Sequence, residues 1–224
     1  MNPAGNRTNL PANYIERTLM NLSEPQRKRF LLGEWVEDVE GALWKSSIID
    51  RSRVLQMTSP VSRTVIGVDP AVSSNKSSDC TGIVVCAACE DGNFYVLGDF
   101  SMRGTPVEWC KKIIELFYQF QVSTVIAEVN NGGELIESLL RSLDAYIPFK
   151  AVRAFDSKIR RAELVAALYE QNKVHHVGRF AELEEQMCSY SPAKSNQSPD
   201  RMDALVWAIR DLLNKSSAGK FFMA

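Results

Sequence analysis

Three carboxylates stand at positions suited to chemistry. The apolar run Val65-Ile66-Gly67-Val68 ends in Asp69, the run Val125-Ile126-Ala127 ends in Glu128, and Asp203 borders the apolar positions Met202, Leu205, Val206, Ile209 and Leu213. An apolar strand that ends in Asp also suits a turn or cap, so Asp69 alone decides nothing; its partners do. Asp200 directly follows Pro199 and fits a helix N-terminus, where free N–H groups and the helix dipole stabilise a carboxylate. It is at most an auxiliary member of the set. Asp203, a turn further in, gains little of that stabilisation, which favours ion ligation. Acids gathered in one basin repel one another and protonate unless cations are bound. Hard oxygen ligands without nearby Cys or His point to Mg²⁺ or Mn²⁺. Two such ions roughly 4 Å apart can cleave a phosphodiester by in-line displacement, one activating water and the other stabilising the leaving oxygen. Such chemistry needs carboxylates and a basic surface, and no covalent nucleophile.

The basic surface has a candidate in Lys150, Arg153, Lys158, Arg160 and Arg161, a run interrupted by a single acid, Asp156. It reads either as a solvated helix face or as a contact to a phosphate backbone, which charge reads without regard to base sequence. Asn130-Asn131-Gly132-Gly133 follows the Glu128 strand and is either a plain strand-to-helix turn or a flexible loop admitting a phosphate. His175 and His176 are adjacent and point to different sides, so no joint site is assigned to them.

The elements that must position these residues follow from periodicity. Thr64 to Asp69, Gly82 to Cys89 and Phe94 to Phe100 are Val- and Ile-rich runs bounded by Gly, Asp and Asn, the pattern of three consecutive strands. Thr105-Pro106 then opens a helix with Val107, Cys110, Ile114 and Phe117 at helical spacing. Ser123 to Val129 is a fourth strand, which would lie beside the first. Glu134 to Leu143 is a helix with Leu135, Leu139 and Leu143 on one face, Pro148 to Ala154 a fifth strand, and Ser157 to Gln171 a helix capped by Ser157. After a linker, a last helix runs from Pro199 or Asp200 to Leu213. This order predicts an α/β fold with a five-stranded mixed sheet, antiparallel in its first three strands and parallel afterwards, flanked by helices on both faces. It is the element order of the RNase H-like fold.

The 224 residues, 45% apolar and 24% charged, suffice for one domain with extensions. Residues 1 to 60 read as a helical and irregular lead-in carrying Trp35 and Trp44, which pin it to the domain surface; residues 61 to 214 as the domain; and residues 215 to 224 as a frayed tail. A net charge of −1 and a pI near 6.2 require any nucleic acid to be held by a local basic patch. Five scattered cysteines form no disulfide framework and indicate a reducing compartment. Cys86 and Cys89 form a C-x-x-C within a strand, where that spacing sends them to opposite faces, so buried thiols are favoured over a zinc site. No apolar stretch approaches the roughly 20 residues of a membrane span, and a soluble, cytoplasmic protein is expected.

Six ordered segments carry a resemblance. Leu10-Pro11-Ala12-Asn13-Tyr14-Ile15-Glu16-Arg17, Arg29-Phe30-Leu31-Leu32-Gly33-Glu34-Trp35, Gly67-Val68-Asp69-Pro70-Ala71, Asp79-Cys80-Thr81-Gly82-Ile83-Val84-Val85, Ala127-Glu128-Val129-Asn130-Asn131-Gly132-Gly133 and Ser198-Pro199-Asp200-Arg201-Met202-Asp203-Ala204-Leu205-Val206-Trp207 together resemble the C-terminal nuclease half of tailed-phage terminase large subunits. The resemblance implies that Asp69, Glu128 and Asp203 hold nuclease metals, with Asp200 auxiliary and Asp79 a weaker candidate. It implies an endonuclease of little sequence specificity that cuts concatemeric double-stranded DNA during genome packaging in the host bacterial cytoplasm. Its partners would be the terminase ATPase domain, the small terminase subunit and the portal. The sequence holds no G-x-x-x-x-G-K-[ST] motif, so a domain that cuts DNA without moving it is expected. Holliday-junction resolvases and transposases share the fold and the acids but would not require the lead-in segment. A non-catalytic module docking on DNA or portal is disfavoured by the three acids together.

Overall fold

A computed structural model describes residues 39–70, 80–129, 133–154, 156–192 and 199–220. The described elements are α1 (Ser46–Ser52), β1 (Val61–Asp69), β2 (Gly82–Cys89), β3 (Phe94–Asp99), α2 (Pro106–Gln119), β4 (Thr124–Glu128), α3 (Gly133–Leu143), β5 (Phe149–Val152), α4 (Lys158–Glu170), β6 (Val174–His176), α5 (Ala181–Ser189) and α6 (Asp200–Lys220). All belong to one compact unit, Val39–Ala224. The sheet runs β5-β4-β1-β2-β3-β6. Pairing is antiparallel for β1 with β2 and β2 with β3, and parallel for β1 with β4, β4 with β5 and β3 with β6. The expected switch from hairpins to crossovers is therefore present.

The sheet has six strands where the periodicity predicts five. Val174–His176 is too short to show a period, and it becomes a strand by pairing with Phe94–Val96 of β3, a tertiary contribution that local pattern does not carry. Likewise α5 occupies part of the stretch read as a linker, and α6 continues to Lys220, past the expected end at Leu213. Residues 221–224, with Phe221 and Phe222, lie outside the described residues, as do Trp35 and three consecutive basic residues, Arg27, Lys28 and Arg29.

Two apolar clusters cover the two faces. One joins Val65, Val84, Cys86 and Val96 of the sheet to α4, α5 and α6; the other joins Ile66, Val68, Ile83 and Val85 to α2 and α3. On α2 the buried residues are Trp109, Cys110, Ile113 and Leu116, and Val107 is exposed. The predicted stripe is thus displaced by about one position. On α3, Ile136 and Leu140 face the core while Leu143 is exposed. Both differences arise because a helix against a sheet buries a broad arc, and tertiary placement chooses its centre. Trp44 is buried in the α4–α6 cluster, deeper than a surface pin. Cys86 and Cys89 are both buried free thiols, as their strand reading requires. Among the described residues no helix is long and apolar enough to cross a membrane.

Local signals start the helices. Thr105 Oγ1 accepts from Glu108 N and Thr105 N donates to Glu108 Oε2 at 2.7 Å, with Pro106 at the first helical position, a complete capping box. Ser157 accepts from Arg160 N at the start of α4. The helix that matters most for the site is α6, buried almost all round from Met202 to Ile209. It lies so close to the sheet that a Cβ on Gly67 would overlap the carbonyl oxygen of Ala204, and one on Gly82 that of Asp200. Two absent side chains therefore set the first turns of α6 directly on β1 and β2.

Candidate active site

The parallel register of β1 and β4 pairs Val68 with Ala127, and one step further along both strands come Asp69 and Glu128. Neighbouring strand ends thus each present an acid at the same edge. Gly82 lies opposite Asp69 across the antiparallel pair, so the helix turn that Gly82 admits, Asp200 to Asp203, arrives beside the same edge. Asp203 is 5% exposed. The convergence is visible in the electrostatics. Burial, then the negative charges of Asp203, Asp200 and Glu128, push the Asp69 carboxyl up to about 8, against the pull of Lys158. Burial likewise raises Asp203 to about 6, opposed by Lys158 and Arg161 and assisted by Glu128. Asp203, Asp200 and Glu128 are therefore all within electrostatic reach of Asp69.

Protein cations and donors already engage this cluster. Lys158 Nζ forms an ion pair with Asp203 Oδ2. Trp207 Nε1 donates to Glu128 Oε2 at 2.8 Å, and Arg161 Nη2 stands 3.6 Å from the same oxygen. Arg161 lies over the Trp207 ring, 4.6 Å from its centroid, and donates from Nη1 to the Asp156 carbonyl at 2.8 Å. Ser157 caps the turn that carries Lys158 and leads to Arg161, so one helix start aims both cations at the acids. The start of α6 is pinned by Arg201, which pairs with Asp99 at 2.6 Å and with Glu182, while its N–H donates to Gln186 Oε1 at 3.0 Å.

With these partners in place, no three His, Cys, Asp or Glu side chains among the described residues are arranged to ligate one ion. The donor chemistry nonetheless suits a hard divalent cation: the cluster offers carboxylate oxygens only, and one of its acids is held protonated near neutrality by burial and its neighbours' charge. Asp69, Glu128 and Asp203 are the residues that would hold such an ion, with Asp200 beside them. Asp79 and Asn130 to Gly132 fall outside the described residues.

The basic run divides. Lys158 and Arg161 belong to the acid cluster. Lys150 pairs at 2.5 Å with Asp211, which also binds Arg63 at 2.6 Å, two turns along α6 from Asp203. Burial alone would raise Asp211, but its bonds to Lys150 and Arg63 hold it below the usual carboxylate range. Arg153 and Arg160 are exposed. The sequence reading did not single out Trp207 or Arg201. Trp207 was detectable in principle, since it lies four residues after Asp203 and so shares its helix face; the Arg201–Asp99 pair depends on a fold contact that no spacing signals.

The family described as Terminase RNaseH-like domain matches residues 66–212. Among solved structures, the chain is similar to the large terminase of bacteriophage HK97, with a TM-score of 0.59 and 13% identity over 92% of this chain and 48% of that one. It is similar to the P22 large terminase nuclease domain, with a TM-score of 0.57 and 12% identity over 75% and 90% of the two chains. It is also similar to the large terminase nuclease of thermophilic phage G20c with bound zinc, with a TM-score of 0.53 and 15% identity over 74% and 98%. At these identities the likeness is one of fold, and this chain spans about half the length of the longer large terminases it matches. No curated protein matches the sequence. Since the match runs from within β1 to within α6 and includes Asp69, Glu128 and Asp203, the chain belongs to the terminase RNaseH-like domain family.

Proposed function

We propose that this chain is the metal-dependent DNA endonuclease domain of a viral terminase large subunit, cutting concatemeric phage DNA during packaging with little sequence preference. The observation that carries the reading is the convergence of Asp69, Glu128 and Asp203 at one sheet edge, set by the β1–β4 register and by the close approach of α6 at Gly82, which leaves the Asp69 carboxyl raised by its neighbours' charge. A folded protein keeps such a repulsive cluster when a cation relieves it. Asp69, Glu128 and Asp203 hold the metal, and Asp200 assists. Hard oxygen donors favour Mg²⁺ or Mn²⁺, and the spread of acids over three elements suits two ions. The G20c nuclease has been solved with bound zinc, which supports a divalent site in this fold. When bound, such ions lower the pKa of the attacking water and stabilise the leaving oxygen.

The chain's own residues do the remaining work. Lys158 neutralises Asp203, and Arg161 lies close to Glu128, so the basin stays folded between turnovers. Exposed Arg153 and Arg160 bind the DNA backbone through charge, which gives binding without base readout. In the full assembly the domain would act beside the packaging ATPase, the small terminase subunit and the portal, in the host bacterial cytoplasm.

The test is supercoiled plasmid incubated with the purified protein and Mn²⁺ or Mg²⁺, with and without chelator, beside Asp69→Ala. Nicking and linearisation by the wild type alone, abolished by chelator, is the expected result. Equal cutting by both proteins would remove the proposed site, and no cutting by either would favour a docking role.

A further inference from the structure

We infer that Trp207 is a positioning residue for Glu128: its indole N–H holds one carboxylate oxygen and keeps the acid from collapsing onto Arg161. The inference rests on the metal-site reading of Asp69, Glu128 and Asp203. An interior helix position needs only apolar bulk, which Phe or Leu would supply. Trp207, 6% exposed, adds a donor, and a buried indole N–H seeks an acceptor. That acceptor is Glu128 Oε2 at 2.8 Å. The Arg161 guanidinium is at 3.6 Å from the same oxygen, just outside a normal hydrogen bond. Its position over the Trp207 ring at 4.6 Å and its bond to the Asp156 carbonyl hold it there. Trp207 thus does two things at once: its edge binds the acid, and its face holds the competing cation.

The placement also links the two acid-bearing elements. Trp207 and Asp203 share one face of α6, and the indole bond reaches from that face to the end of β4. Loss of the N–H alone would let Glu128 rotate into a bidentate pair with Arg161, which is geometrically favoured for a guanidinium and a carboxylate. The acid would then be withdrawn from the metal cluster while the fold stayed intact. Outer groups that orient ligands commonly change metal affinity by about 10–100-fold.

Trp207→Phe, which keeps an aromatic ring and loses the donor, tests this in the full chain. Calorimetric titration with Mg²⁺ should show affinity falling by about 10–100-fold, with the metal-free melting temperature within a few degrees of wild type. Cleavage should need correspondingly more Mg²⁺ for half-saturation, while kcat at saturating Mg²⁺ changes little. In a Glu128→Ala background the same substitution should have no further effect on Mg²⁺ affinity. Unchanged affinity in Trp207→Phe, or an equal loss in both backgrounds, would overturn the inference. Wild type that binds no Mg²⁺ would overturn the metal reading and the inference with it, a result distinct from either of those. Should Trp207→Phe fail to fold, the wild type supplies the second measurement. The indole N–H cross-peak that moves in Glu128→Gln identifies Trp207, and it should shift on Mg²⁺ titration of the ¹⁵N-labelled protein; a stationary peak would overturn the role.

Discussion

Asp69 is expected to destabilise the metal-free protein at neutral pH. Its carboxyl has a folded pKa of about 8 against about 3.9 in an unfolded chain. The folded state therefore binds the extra proton between those values, and stability is full below the lower value and lost as pH rises toward 8. Replacing Asp69 with Asn removes the charge while keeping the shape. Asp69→Asn should raise the stability of the chelator-treated protein by about 1–3 kcal/mol at pH 7.5, discounting the full linkage value for solvent relaxation, and by nearly nothing at pH 4. Denaturant melts at the two pH values measure this, and a destabilised variant at pH 7.5 would contradict the charge cluster. The same variant should show neither DNA cutting nor the rise in melting temperature expected of the wild type with Mg²⁺, a trade of function for stability. At this scale much of the site was legible in the sequence, because Asp69 and Glu128 end apolar strands and Asp203 interrupts a helical stripe. What was not legible was their engagement by protein partners. Lys158 is far from Asp203 in sequence, and nothing local says that an indole edge rather than water meets Glu128.

The elements are held at that site by close approach more than by specific bonds. A Cβ at Gly67 or Gly82 would meet a carbonyl oxygen of α6 backbone, which cannot swing aside as a side chain can. Gly82→Ala should therefore push the first turn of α6 off the sheet, costing about 3 kcal/mol or more and lowering Mg²⁺ affinity together with stability. Gly92→Ala is the contrast: a Cβ there meets nothing within 4 Å, and only its positive φ of 78° opposes the change, so a loss of about 1 kcal/mol is expected. Thermal or chemical denaturation of the two variants checks the ordering, and equal losses would mean that backbone strain rather than α6 packing decides. Thr105→Ala should cost about 1 kcal/mol through its capping box without affecting metal binding, since α2 lies on the other face of the sheet from α6. The strands and long helices were readable from period and caps. The three-residue β6 was not, because it is a strand only in the company of β3. Nor was α5, whose Glu182, Glu184, Glu185 and Gln186 mask the buried Leu183 and Met187.

Across the whole molecule, two buried polar groupings respond to pH in opposite directions. At the β6 edge of the sheet, Tyr169 hydrogen-bonds His176 Nε2 at 2.8 Å, His176 Nδ1 meets Glu184 Oε1 at 2.9 Å, and Arg53 binds the same Glu184 at 2.7 Å. This network ties the residues just after α1 to α4, β6 and α5. Burial lowers His176 below its usual value, with Glu184 opposing, so it is neutral in the fold. Its contribution is present above about 6.5 and lost as pH falls toward its depressed folded value. Burial alone would raise Glu184, but bonds from His176 and Arg53 hold it down to about 2. Its contribution is present above about 4.3 and disappears as pH falls from there to about 2. Asp69 and Asp203, at about 8 and about 6, act in the other sense: their contribution is full below about 3.9 and is lost as pH rises toward those values. The metal-free protein should therefore be most stable at about pH 4–5, where Asp69 and Asp203 cost little and Glu184 is still ionised. Thermal unfolding in chelator across pH 3–9 tests this directly. Saturating Mg²⁺ should move the optimum to neutral pH by stabilising the ionised cluster, whereas Glu184→Gln should lower stability above about pH 4.3 and flatten the acid limb. A metal-free optimum already at pH 7–8 would show that Asp69 and Asp203 do not share a repulsive basin.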